Sequence, residues 1–431
     1  MKSNSDFQRL KRNIGGLLAA AFFLCCGALA AAEEAPPTYE PRRLSPTLYE
    51  LRIDIGYMIK VLASIGPDGV LLVDTGGAEN VKELMATLTK LGGGTPKIII
   101  LSHSHGEHWE GSRAIGAGPL YIGHENLRRR LQNGPFQFLE LPETILPRLT
   151  LRDTLSIHFN GEEIRIRSFA GAHDDSDLVV WFTGSKVAFI GALAGAHKLP
   201  TVDGSTGDIR RYPEITRAVL DYLPADVLLV PGHGEDASHA DGVQFLEMLE
   251  KTAALVRGEI AKGKDLEALN QADLLKEWQS WEVSYSNRAY WLRALYEGWT
   301  GVKAAQNALK TVHGPLFAAY REKGAEAAVR KYRELKALQP KDYLFDDRSL
   351  VGIAYTLAGE GKNHEAIPFF ELLLGEFPES RYETFALDGL SRAYEAVGDQ
   401  AKAVATLSKL LARDPANIEV ARRLKELKKK K

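Results

Sequence analysis

The stretch "LSHSHGEHWEG", Leu101 to Gly111, gathers His103, His105 and His108 with Glu107 inside six positions. It follows "KIIIL", an apolar run that reads as a short buried strand, so the polar cluster falls on the loop leaving that strand. Zinc in a hydrolytic site takes imidazole nitrogens and carboxylate oxygens and keeps one coordination position open for water. His103 and His105 can aim from one loop at one ion, while Glu107 and His108 can turn to a neighbouring one. A lone histidine is more often a surface or core residue than a ligand. Three so close together after a strand read as a metal-binding loop.

Strand and helix signals surround this loop. "LYELRIDI", "YMIKVLAS" and "GVLLVDTGG" read as strands, with turns at Gly56 and at Pro67-Asp68-Gly69. "AENVKELMATLTKLGG" has helical spacing and ends in glycines, and "LYIGHENLRRRL" repeats the strand-then-helix step. Residues 148–190 return to strands, followed by a helix over about 208–222, the strand "DVLLVPGHGE" and helical segments from about 238 to 300. Strands at both ends of the region with interspersed helices are the pattern of layered α/β proteins.

From residue 314 to 431 the pattern is helix only. Leu350, Ile353, Ala354, Gly361, Ala366, Phe370 and Pro378 recur in register as Leu387, Leu390, Ser391, Gly398, Ala403, Leu407 and Pro415. A looser copy, Ala328, Tyr332 and Pro340, precedes them. This is tetratricopeptide-like spacing, in which small residues let paired helices approach. Stacked helix pairs leave a concave surface, so a protein partner or self-association is expected there. The terminal "RRLKELKKKK" reads as a capping helix with a solvated basic end.

The chain of 431 residues is 45% hydrophobic and 26% charged, the composition of an ordinary globular protein. Its formal net charge is -2; the first 32 residues carry +3, leaving the remainder near -5. A mildly acidic body without a large basic patch argues against a nucleic-acid partner. Residues 1–32 read as a secretory signal, with a basic start, the apolar run "IGGLLAAAFFLCCGALA" and cleavage after Ala30 or Ala32. An uncleaved anchor is the lesser alternative, because the run is short for a membrane span. Residues 33–45 read as a Pro-rich linker. Cys25 and Cys26 both lie in the signal, and neither Leu24 nor Cys25 is the small residue that lipidation of the next cysteine wants. The mature chain therefore has no thiol ligand, thiol nucleophile or disulfide. A periplasmic or secreted location is expected.

With Asp74 in "LLVDTGG", His103, His105 and His108 on the loop, His173 in "GAHDDSDLVVWF" and His233 in "VLLVPGHGE", residues 46–300 resemble the metallo-β-lactamase fold superfamily. Its signature is His-x-His-x-Asp-His after a strand, an earlier strand-end Asp and two distant histidines. The resemblance implies an α+β fold, a four-layer αββα sandwich with the metals at one edge, here followed by the all-α helical repeats. It implies a first ion on His103, His105 and His173, and a second on Glu107, His108 and His233, with zinc favoured over iron. Asp74 is expected to orient the histidine loop, and Glu107 to ligate or to act as a base on water. Two positions depart from the pattern. Glu107 stands where an Asp is usual, and Ala192 in "FIGALAG" stands where many relatives have a metal-bridging Asp. The loss weakens the case for two ions. It also argues against close kinship with glyoxalase II and the homoserine-lactone lactonases.

The expected activity is that of an exported zinc hydrolase, in which activated water attacks the carbonyl of an ester, lactone, thioester or amide, a β-lactam among them, in a small-molecule substrate. The competing expectation is a protein-interaction module with a vestigial metal site. Trp109, Phe136 and Tyr212 are candidate pocket walls, though such aromatics are more often packing. His124 is expected to cap a helix; His158, His197, His239, His313 and His364 have no evident partner in the sequence, with His197 and His239 the nearest reserves. "GEIAKGKD" lacks the Ser or Thr and the preceding strand of a phosphate-binding loop, and the chain has no G-x-S-x-G of a serine hydrolase.

Overall fold

Alternation along the strands builds two sheets that share a core. In β4 (Gly69–Val73), Leu71 and Val73 enter one apolar cluster while Val70 and Leu72 enter another on the opposite face. This follows from the two-residue side-chain period of a strand. The first sheet has the order β1 (Glu40–Arg43), β2 (Leu48–Asp54), β3 (Met58–Gly66), β4, β5 (Ile98–Leu101), β6 (Leu120–His124) and β7 (Leu149–Leu151). It is antiparallel through β4 and parallel from β4 to β7. The second sheet has the order β12 (Leu228–Pro231), β11 (Val187–Gly191), β10 (Leu178–Phe182), β9 (Glu162–Ser168) and β8 (Thr154–Phe159), with only β11 and β12 parallel. The structure is a computed structural model and describes residues 37–55, 57–134, 138–139, 141–202, 206–283, 286–302, 309–378, 380, 382–415 and 417–429.

One cluster joins the sheets face to face, with Leu62, Leu71, Val73, Ile100 and Ile122 against Ile164, Ile166, Val180, Phe189 and Val230. Helices cover both outer faces. On the first sheet lie α1 (Val81–Lys90), the short α2 (Gly106–Trp109) and α3 (Ser112–Ile115), and α4 (Glu125–Asn133). Val81, Leu84 and Leu88 of α1 share one buried face, the i, i+3, i+7 stripe of an amphipathic helix. On the second sheet lie α5 (Tyr212–Tyr222), α6 (His239–Ala261), α7 (Leu266–Gln271) and α8 (Arg288–Thr300), whose Tyr212, Phe245 and Trp291 pack on Ala188, Ile190 and Leu229. The expected α/β/β/α layering is therefore present.

The remainder is helical, α9 (His313–Leu338), α10 (Asp347–Gly359), α11 (Asn363–Glu376), α12 (Glu383–Ala396), α13 (Gln400–Arg413) and α14 (Ile418–Lys429), except that Lys310–Thr311 and Tyr343–Leu344 pair as a small parallel sheet, a departure from the helix-only expectation. Helices α10 with α11, and α12 with α13, are joined by short turns and pack against each other. The turn of each holds a glycine in the left-handed region, Gly361 at φ 73° and Gly398 at φ 80°, a conformation that suits a residue without Cβ. Leu350, Ala354, Ala366 and Phe370 are buried, as are their counterparts Leu387, Ser391, Ala403 and Leu407.

Two details differ from the sequence reading. Residues 40–43, expected within the 33–45 linker, pair with β2 as an edge strand, a position open to Pro41 because an edge strand can spare a backbone donor. Phe138, in the connection after α4, is buried in the helical region's core against Phe317, Tyr320 and Phe369. Residues 39–431 form one compact unit. The expected signal segment 1–32, with Cys25 and Cys26, lies outside the described residues. No helix among the described residues is long and apolar enough to cross a membrane.

Candidate metal centre

The strand ends on one edge of the sandwich bring the site together. Asp74 follows β4, His103 follows β5, His173 lies between β9 and β10, Ala192 follows β11 and His233 follows β12. The ligand atoms of His103, His105 and His173 all lie within 4.8 Å of one another, and those of Glu107, His108 and His233 form a second such group. All six residues expected as ligands therefore meet in two adjoining clusters. His103 and His108 share the edge between them, with ring centroids 4.2 Å apart.

The tautomers follow from the hydrogen bonds behind each ring. Asp74, buried and at φ 66°, accepts from the Ser102 backbone N–H at 2.7 Å and from the Ser102 hydroxyl at 2.8 Å. That hydroxyl, its proton committed to Asp74, can only accept from His103 Nδ1 at 2.8 Å. Asp74 Oδ2 also accepts from His108 Nδ1 at 2.7 Å, and the Met58 carbonyl from His233 Nδ1 at 2.8 Å. Asp177 Oδ1 holds His173 Nδ1 at 3.0 Å. In each ring the Nε2 lone pair is left for the interior of the site. Anchoring one imidazole nitrogen in this way is how outer groups orient a metal ligand.

Three observations test whether these residues fit a cation. His103 Nε2 is buried and has no hydrogen-bond partner among the described residues, a costly state for a polar atom unless something else binds it. His108 Nε2 and His233 Nε2, both lone-pair bearing, face each other at 3.1 Å, and Glu107 Oε1 lies 3.4 Å from His233 Nε2. Acceptors that converge on one another make a cradle for positive charge. The donor set of imidazole and carboxylate, with no thiolate, suits zinc and also iron. The residues fit a metal.

Electrostatics agree. Burial, then the neighbouring imidazoles, hold His103 well below the usual histidine range, and burial brings His233 down to about 4 despite Glu107 beside it. Burial alone would raise Glu107, but His233 and the other imidazoles outweigh it and hold the carboxyl ionised. Neutral imidazoles beside an ionised carboxylate are the protonation states ligation requires. Burial first, and Asp174 second, push Asp177 well up.

The loop bearing His233 is fixed from behind. Lys60, fully buried, reaches Asp236 at 2.6 Å and Glu50 at 3.1 Å, and its backbone N–H donates to Gly232 O at 3.0 Å. Burial, partly offset by Glu50, brings its ammonium down to about 8. Lys198 donates to the His233 carbonyl at 2.9 Å. Gly232 must be glycine here, because a Cβ would sit 2.7 Å from His108 Cε1.

Other expectations resolve individually. His124 caps α4, its Nδ1 accepting from Asn126 N at 3.0 Å. Trp109 and Tyr212 are not pocket walls: both are buried in apolar clusters, and Tyr212 donates to the Ala192 carbonyl. Phe136 lies outside the described residues. His197 packs on Trp281 and His239 on the Leu220 carbonyl, neither reaching the clusters. Ala192 leaves Glu107 as the one carboxylate in the second group. The sequence reading missed Ser102, Asp174, Asp177 and Arg130. The dense acidic run "HDDSD" was the available signal for two of them.

The family model described as the metallo-beta-lactamase superfamily matches residues 57–233. Among solved structures the chain is similar to the metallo-beta-lactamase from Pontibacter korlensis, at 20% identity and a TM-score of 0.43, over 49% of this chain and 99% of that one. It is similar to TMB-1 at 17% identity and a TM-score of 0.43, over 50% and 99% of the two chains. It is similar to the DIM-1 metallo-beta-lactamase at 16% identity and a TM-score of 0.43, over 50% and 98%. No curated protein matches the chain. Residues 57–233 carry a metallo-beta-lactamase superfamily domain.

Proposed function

We propose that this chain is an exported, zinc-dependent hydrolase of ester, lactone, thioester or amide carbonyls, β-lactams among them. The observation that carries the reading is the convergence of imidazoles from separate loops: ligand atoms of His103, His105 and His173 lie within 4.8 Å of one another, and the buried His103 Nε2 has no hydrogen-bond partner among the described residues. Those three residues would hold the first ion, and Glu107, His108 and His233 a second. A bound zinc supplies Lewis acidity and lowers the pKa of water to about 7. The chain's own groups do the rest. Asp74 and Ser102 hold His103 and His108 in the ligating tautomer, Asp177 holds His173, and Met58 O holds His233. Glu107, kept ionised by the imidazoles, ligates or accepts a proton from water at its Oε1. The apolar stretch after a basic start supports export, and the recurrence of buried small residues in α10–α13 supports tetratricopeptide-like repeats that take a protein partner or a second copy.

A second reading, a partner-binding protein with a vestigial metal site, draws on Ala192 and on the exposed Phe385 and Tyr355 of the helical region. Elemental analysis of the purified mature chain and of His105→Ala, with a hydrolase substrate screen, separates the two. Bound zinc and chelator-sensitive cleavage that His105→Ala abolishes are expected. A chain that binds no metal and cleaves nothing sinks the hydrolase reading; iron in place of zinc redirects it to iron chemistry.

A further inference from the structure

One buried carboxylate ties the two halves of the first cluster together. Asp174 directly follows His173, and its side chain is fully buried. Its Oδ2 accepts from both the backbone N–H (3.0 Å) and the hydroxyl (2.6 Å) of Ser104, the residue between His103 and His105. Its Oδ1 accepts from the backbone N–H (2.6 Å) and the hydroxyl (2.8 Å) of Ser176 in its own loop. Four donors thus occupy the two oxygens, which argues for a tie and against direct ligation. The backbone takes part: the Asp174 N–H donates to Asp177 Oδ2 at 2.7 Å, and Asp177 Oδ1 is the atom on His173 Nδ1.

Arg130, in α4, is the cation at this junction. It donates to the Ser104 hydroxyl and to the Thr206 hydroxyl, and its guanidinium lies 3.2 Å from Asp175 and 3.9 Å from Asp174. Asn126, one turn earlier on the same helix, donates to the Asp175 carbonyl at 2.7 Å. Helix α4 therefore grips both loops that carry the first cluster, and Arg130 offsets the buried negative charge between them.

We propose that Asp174, supported by Arg130, is the positioning residue of the three-histidine cluster, fixing His103 and His105 relative to His173 and so setting the affinity of that site for its metal. The proposal rests on the metal-dependent reading above. The physical reason is geometric: ligands on separate loops bind one ion tightly only if their spacing is fixed before it arrives. In Asp174→Asn an amide NH2 must face the N–H and O–H donors of Ser104 or Ser176, and one side of the tie is lost.

The test is zinc affinity by chelator competition, with the visible spectrum of the cobalt-substituted protein as a report of ligand geometry and the unfolding midpoint of the metal-free chain as a control for folding. Asp174→Asn should weaken zinc binding about 10–100-fold, the range for loss of an outer-shell partner, and alter the cobalt spectrum. A role in folding alone would lower the midpoint and leave the spectrum of the folded fraction unchanged. Should Asp174→Asn fail to fold, the partly exposed Arg130 carries the test: Arg130→Met weakens zinc binding and Arg130→Lys, which keeps the charge, restores most of it. Wild-type affinity and spectrum in Asp174→Asn, or in Arg130→Met where the first does not fold, overturn the proposal. Wild-type protein that binds neither zinc nor cobalt overturns the metal-dependent reading itself, and this proposal with it.

Discussion

Asp74 Oδ2 lies 2.7 Å from His108 Nδ1, although 34 positions separate the two residues, and both side chains are fully buried. The same carboxylate holds Ser102, and through its hydroxyl His103, so one strand-end residue sets a ligand in each cluster. Asp74→Ala strands three buried donors at a cost of about 1–3 kcal/mol for each group left unsatisfied. We expect a lower unfolding midpoint together with a loss of bound metal. Asp74→Asn, which keeps the shape and one acceptor, should fold better and still bind metal poorly. Calorimetry and metal content on both variants check this.

His105 stands at the rim and is only half-buried. His105→Ala should abolish metal binding at the first cluster and shift metal-free stability by only about 1 kcal/mol, the usual scale of a single substitution. Denaturant titration of the metal-free forms, set against metal content, reads both quantities.

Gly232→Ala acts on the second cluster alone. The new Cβ would approach His108 Cε1 to 2.7 Å, with the ring unable to retreat because Asp74 holds its other side. Titration with zinc should show the weaker binding step lost and the tighter one kept. Ala192→Asp should do the reverse by adding a second carboxylate beside Glu107. An unchanged stoichiometry in both variants would mean that Glu107, His108 and His233 hold no ion.

His313 gives a pH dependence remote from the metal. It is buried, its Nε2 has no hydrogen-bond partner among the described residues, and burial brings its imidazole down to about 4. Between pH 6.5 and 4 the unfolded chain binds a proton that the folded chain refuses, so this stability is present above 6.5 and lost as pH falls towards 4. At 1.36 kcal/mol per unit the loss is about 3 kcal/mol. The difference in stability between His313→Phe and wild type should widen in favour of the variant over that window and stay flat above pH 7.

Phe138 anchors the connection after α4 in the helical core. Phe138→Ala should cost about 3–5 kcal/mol, as for other buried aromatics. Limited proteolysis should then cut the helical region sooner than in wild type.

The sequence was enough for the layered fold, because period-two burial in the strands and the 3.6-residue stripe of α1 are local properties. It was also enough to nominate His103, His105, His108, Glu107, His173 and His233, because chemistry-bearing residue types cluster after strands, and strand ends share an edge. Glu40–Arg43 was lost in a Pro-rich stretch, since edge pairing depends on a partner strand rather than on pattern. Tertiary structure alone decided how each ring is held. Ser102, Met58 O and Arg130 act across loops, and a hydrogen bond between segments leaves no period in the chain. It also decided that Trp109 and Tyr212 are core, because an aromatic carries the same letter whether it lines a cavity or fills one. Which residues can bind a cation is written in their side chains; whether their lone pairs converge depends on the backbone that brings distant loops to one edge.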